Sequence, residues 1–105
     1  MGARALIACC LLLAACGGPQ PEVEPASITV TSVQPGFQRV QADVRNASGG
    51  HGQIAIDITL RGTTGQVIEE TRTVQLRAHE QIRFAADIAA PPGTYTAELD
   101  ATYPD

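Results

Sequence analysis

From residue 27 onward, apolar side chains recur at every second position, the pattern of strands with one buried face. Ile28, Val30 and Val33 mark a first strand, which Pro35-Gly36 ends. Val40, Ala42 and Val44 mark a second, with Gln41, Asp43 and Arg45 on the solvent side. Residues 46–52 (Asn-Ala-Ser-Gly-Gly-His-Gly) have the composition of a loop. Ile54, Ile56, Ile58 and Leu60 form the most regular strand, and Gly62-Thr63-Thr64-Gly65 predicts a tight hairpin. Residues 66–76 break the rule. Ile68, Val74 and Leu76 share one parity, but Glu70 and Arg72 lie on the same face. A single strand would bury both charges. The chain is therefore expected to leave one sheet near Glu69-Glu70 and to join the other by Thr73, as strands do at sandwich corners. Alternation resumes at Ile82, Phe84, Ala86 and Ile88. After Pro91-Pro92-Gly93 it returns at Tyr95, Ala97, Leu99, Ala101 and Tyr103. The prediction is an all-β domain over residues 27–105, an antiparallel β-sandwich of six or seven strands.

The first sixteen residues follow a different pattern. Arg4 gives a positive start, residues 5–13 are apolar, and Leu13-Ala14-Ala15-Cys16 follows. This resembles a bacterial lipoprotein signal peptide ending in a lipobox. The resemblance implies that Leu13, Ala14 and Ala15 are read by the signal peptidase. It also implies that Cys16, freed as the new N-terminus, carries a diacylglycerol thioether and an added acyl chain. Leu6-Ile7-Ala8-Cys9 matches the same pattern, but it leaves an apolar region of about four residues where about 7–15 are usual. Cys16 is preferred on that ground. The apolar run is also short of the roughly 20 residues that span a bilayer. Two or more acyl chains anchor stably where one is marginal. In Gram-negative lipoproteins an Asp after the cysteine favours inner-membrane retention, so Gly17 implies the outer membrane, facing the periplasm. The expected division is a signal peptide over 1–15, a lipidated tether over 16–26 and the domain beyond.

Residues 17–25 hold three prolines and two glycines and show no strand or helix period. They predict an extended spacer that would hold the domain about 20–30 Å from the bilayer.

Composition narrows the function classes. Cys9, Cys10 and Cys16 all lie in the leader region, so the domain contains no disulfide and rests on β-pairing and an aliphatic core. The 90 residues from Cys16 onward contain no lysine. Loss of Arg4 with the leader takes the net charge from -4 to -5. An acidic, lysine-free surface argues against nucleic acid, whose phosphates require basic clusters.

A second resemblance lies in residues 39–88. Val44-Arg45-Asn46-Ala47-Ser48-Gly49 is followed by Ile54-Ala55-Ile56-Asp57-Ile58-Thr59-Leu60, then Gly65-Gln66-Val67-Ile68, then Val74-Gln75-Leu76-Arg77-Ala78-His79-Glu80 and Phe84. This is similar to the FxLYD-type immunoglobulin-like domain of bacterial envelope proteins. The chain departs from it at Arg61-Gly62 and Ala78-His79, where that family usually has Tyr-Asp and Pro-Gly. The resemblance implies an immunoglobulin-like sandwich and brings no catalytic residues. Pro92-Gly93-Thr94-Tyr95-Thr96 resembles the closing strand of sandwich domains that include intracellular proteinase inhibitors.

Candidate chemistry is sparse. His51 and His79 fall in turns, without the three or four converging ligands that a metal needs. No Gly-x-Ser-x-Gly elbow supports a nucleophile. Asp57, Glu98 and Asp100 alternate outward, where cross-strand pairing with Arg is the ordinary use. The reading is a protein without enzymatic activity or cofactor, with a membrane and an envelope protein as its partners. The loop carrying Asn46, Ser48 and His51 is one candidate interaction surface, and an exposed strand edge is the other. Inhibition of proteases or chaperone-like binding is the alternative function.

Overall fold

The computed structural model describes residues 18–103. Leu13, Ala14, Ala15 and Cys16 lie outside them. The strands are β1 (Pro21–Val23), β2 (Thr29–Gln34), β3 (Phe37–Asn46), β4 (Gly52–Gly62), β5 (Val67–Leu76), β6 (Gln81–Ala89) and β7 (Tyr95–Thr102), and all pairing is antiparallel. In one sheet β3 is central, flanked by β6 on one side and by β1 and β2 in succession on the other. The second sheet has the order β5-β4-β7. The chain crosses between sheets after β3, β5 and β6, giving the predicted immunoglobulin-like sandwich.

Period-2 alternation sets the core. β3 turns Val40, Ala42 and Val44 inward, β4 turns in Ile54, Ile56, Ile58 and Leu60, and β6 turns in Phe84, Ala86 and Ile88. Tyr95 opens β7 with its ring buried and its hydroxyl donating to the Pro91 carbonyl at 2.6 Å, four residues upstream. A tyrosine bonded back across the corner at this strand is a hallmark of immunoglobulin-like sandwiches. It ties the Pro91-Pro92-Gly93 turn to the core.

Two expectations change. First, β5 does not switch sheets. It pairs with β4 along its whole length, from Val67 opposite Arg61 to Leu76 opposite Gly52. Glu70 and Arg72 do face inward, across from Ile58 and Ile56. The structure tolerates them because β5 is an edge strand, so their heads reach the open side of the sandwich at 33% and 37% side-chain exposure. They pair with each other, and Arg72 also donates to the Asp87 carbonyl of β6 at 3.3 Å, bridging the two sheets. The stems cover the core while the charges meet water, and inward charge on an edge strand discourages edge-to-edge association.

Replacing both residues with valine is therefore expected to leave the urea midpoint unchanged or to raise it, because an apolar pair of similar position avoids desolvation. The same variant should associate through the unprotected edge. Size-exclusion chromatography over a concentration series would show this, and a strictly monomeric variant would contradict the protective role.

Second, the Pro/Gly-rich segment is not a free spacer within the described residues. Pro21–Val23 pairs with Val44–Asn46, and Pro25–Ser27 forms a 3₁₀ turn before β2 resumes along the same edge of β3. The prolines fit because a strand's first residue on an edge and the first position of a helical turn need no N–H donor. Where the edge strand leaves the ladder, the Asp43 N–H donates to Ser27 Oγ at 2.7 Å instead.

Candidate functional site

The alternation of β3 runs on past Val44, so residue 46 also points inward. It is Asn46, only 1% exposed, at the end of the sandwich where β3, β5 and β7 end and β1, β4 and β6 begin. Its amide group satisfies three segments at once. Nδ2 donates to the carbonyls of Gly50 (2.7 Å) and Arg77 (2.8 Å). Oδ1 accepts from the N–H of Gln20 and of Ser48, both at 3.0 Å, and from Ser48 Oγ at 3.2 Å. Ser48 Oγ, whose single proton is shared between Asn46 Oδ1 and the Gly18 carbonyl (3.0 Å), accepts from the Gly50 N–H at 3.2 Å. The Ser48 carbonyl accepts from the His79 N–H at 3.0 Å, and the Gln20 carbonyl accepts from the Ala47 N–H at 2.9 Å.

These bonds clasp residues 18–20, the 47–51 loop and the 77–80 turn into one pole. The turn is set by His79 at φ 55°, with the Glu80 carboxylate accepting from the Arg77 N–H at 2.8 Å. Gly18 is buried at φ 115° against the Tyr103 ring, where a Cβ would overlap the ring carbons. Gly50 lies so close to the Gly18 backbone that it too has no room for a Cβ.

The three residues expected to present an interaction loop therefore divide. Asn46 and Ser48 hold the fold, and only His51 is exposed. His79 is exposed as well, with its ring beside Gly49. Among the described residues, no group of three or more His, Cys, Asp or Glu side chains is placed to hold a metal ion.

The outer faces carry cross-strand ion pairs: Arg39–Asp87 (2.8 Å), Arg45–Glu22 (2.7 Å), Arg61–Glu98 (3.1 Å) and Arg83–Asp43 (3.1 Å). The hydrogen bonds from Arg39 hold the Asp87 carboxyl below its ordinary pKa. All four pairs are well exposed, so they set surface character more than stability. On β4 and β7, Asp57 and Asp100 stand directly opposite each other, leaving that face acidic.

Strand edges are the other feature. Among the described residues, β7 pairs only with β4. Beside its open edge runs a groove of about 570 Å³, lined by Val23, Ile28 and Val30 on one wall and by Tyr95, Ala97 and Leu99 on the other.

Comparison of the chain with models of known protein families, with curated proteins and with solved structures finds no match.

Proposed function

We propose that this chain is the precursor of a bacterial envelope lipoprotein whose sandwich is a non-catalytic binding or structural module, of FxLYD-like type, lipid-anchored through Cys16 and facing the periplasm from the outer membrane. One observation carries the reading: the apolar run that ends in Leu13-Ala14-Ala15-Cys16, with a small residue before the cysteine. The polar side chains of the domain support the second half of it. Asn46, Ser48 and Glu80 are committed to holding backbone, and the surface carboxylates Glu22, Asp43, Asp87 and Glu98 to pairing with arginine.

The test is the mass of the mature N-terminus together with membrane fractionation. The mature chain should begin at Cys16, carry diacylglycerol and acyl groups, and sediment with membranes. Cys16→Ala should abolish the modification and the membrane retention. A mature protein that is unmodified and soluble would end this reading. Crosslinking in intact cells should then recover an envelope protein partner, and repeated recovery of none would count against a binding role.

The apolar groove beside the free edge of β7 favours a second reading, in which the domain captures an extended chain by strand addition, as a protease inhibitor or chaperone-like protein would. Assays against envelope proteases and against aggregation of an unfolded client separate the two. Absence of both activities at micromolar concentration removes the second.

A further inference from the structure

The position of Gly18 changes how an anchored domain would sit. Only Gly17 separates it from Cys16, and two Cα–Cα steps span at most about 7 Å. Gly18 itself is buried, wedged against Tyr103, with its carbonyl bonded by Ser48 Oγ at 3.0 Å. Cys16 is thus within one short link of the folded pole. The expected stand-off of 20–30 Å is not available, because the Pro/Gly-rich segment is spent on β1 and the 3₁₀ turn.

On the lipoprotein reading above, we propose that the domain is seated directly on the bilayer through this pole. The 47–51 loop, the 77–80 turn and Tyr103 would then lie against the headgroups, with the strands standing away from the surface. The chemistry of the pole agrees. Among the described residues 18–20, 47–51, 77–80 and 103, the one carboxylate is Glu80, half-buried and turned to the Arg77 N–H. The exposed ionisable side chains there are His51, Arg77 and His79. Glu22, on the flank one residue into β1, is engaged by Arg45 at 2.7 Å. Of the described residues, an anionic surface therefore meets chiefly glycine, serine, histidine and arginine, while the acidic face of Asp57 and Asp100 points along the sheet normal into solvent. The opposite pole, with its turns at Pro35-Gly36, Thr63-Thr64 and Pro92-Gly93, stands about 36 Å away, the length of the eleven residues of β4.

The experiment uses the full chain, lipidated in a bacterial host and reconstituted into vesicles of phosphatidylethanolamine and phosphatidylglycerol. His51→Cys and Thr64→Cys each add a single free thiol, since Cys16 is blocked by lipid and Cys9 and Cys10 leave with the leader. A fluorophore at each position is read by energy transfer to a headgroup acceptor. Transfer from position 51 should exceed that from position 64 several-fold. Inserting about ten Gly/Ser residues between Cys16 and Gly17 should erase the difference, because such a linker lets the domain tumble. Equal transfer from the two positions in the uninserted chain would overturn the seating. The mass of the N-terminus in the same sample separates the causes. Equal transfer with lipid attached defeats the seating alone, and absence of lipid defeats the lipoprotein reading and the seating with it.

Discussion

Replacing Asn46 with alanine is expected to lower the stability of the domain by about 3 kcal/mol, the sum of a few lost and unreplaced hydrogen bonds at a buried site. The side chain makes five such bonds and is almost wholly enclosed. Its removal strands the Gly50 carbonyl and the N–H groups of Gln20 and Ser48, while the Arg77 carbonyl keeps its bond from the Glu80 N–H at 3.1 Å. A buried polar group without a partner costs about 1–3 kcal/mol, and water entering at the pole restores part of that. The loss should show in urea unfolding as a lower midpoint with an unchanged slope. Hydrogen exchange should locate it, since amides at Gln20 and Ser48 lose protection first. Asn46→Asp is the informative companion. It keeps the acceptor toward Gln20 and Ser48 but places a carboxylate beside two carbonyls, so it should not rescue. A loss below about 0.5 kcal/mol, the ordinary scatter of surface substitutions, would mean that the clasp is ornamental.

Ile56→Ala should cost slightly more, about 3–4 kcal/mol, by combining lost transfer energy with an unfilled cavity. Ile56 is fully buried at the centre of β4, with Arg72 across from it on β5 and Ala101 on β7. Neither neighbour can collapse into the space. Arg72 is drawn outward by Glu70 and by the Asp87 carbonyl, and Ala101 has only a methyl to offer. For the 86 described residues, total stability is expected to be about 4–13 kcal/mol, so this change removes a large share of it. Thermal or urea unfolding followed by circular dichroism measures the loss. Ile56→Val in parallel should cost about 0.5–1.5 kcal/mol, and equal losses in the two variants would show that cavity size is not the determinant.

The core was readable because parity is local. Alternation of Val40-Ala42-Val44 and of Ile54-Ile56-Ile58-Leu60 names the inward residues without any knowledge of the partner strands, and the structure buries all of them. The role of Asn46 was legible by the same rule, since it continues the inward parity of Val44. Its neighbours in a glycine-rich stretch drew it into the loop instead. Two features depend on position within the sheets, which local pattern does not encode. Glu70 and Arg72 can face inward only because β5 lies at an edge beside β6. Pro21–Val23 can be a strand only because β3 offers an unpaired edge at Val44–Asn46. In the candidate interaction loop, local composition leaves two uses open. Small polar residues suit recognition and close backbone packing equally well, and here Ser48 and Gly50 serve the packing.

The direction in which β1 runs has a mechanical consequence. The strand begins at the pole and runs inward along β3, so a pull on the chain from before Gly18 acts along the strand axis. Its rungs with β3 are then loaded together, in shear, instead of opening one after another like a zipper. The Asn46 bond to the Gln20 N–H and the Ser48 bond to the Gly18 carbonyl add to the same clamp. An anchor at Cys16, two residues upstream of Gly18, would thus transmit force into the central strand of a sheet, and the domain should yield by abrupt rupture of this clamp before the β4–β5 and β4–β7 pairings feel the load.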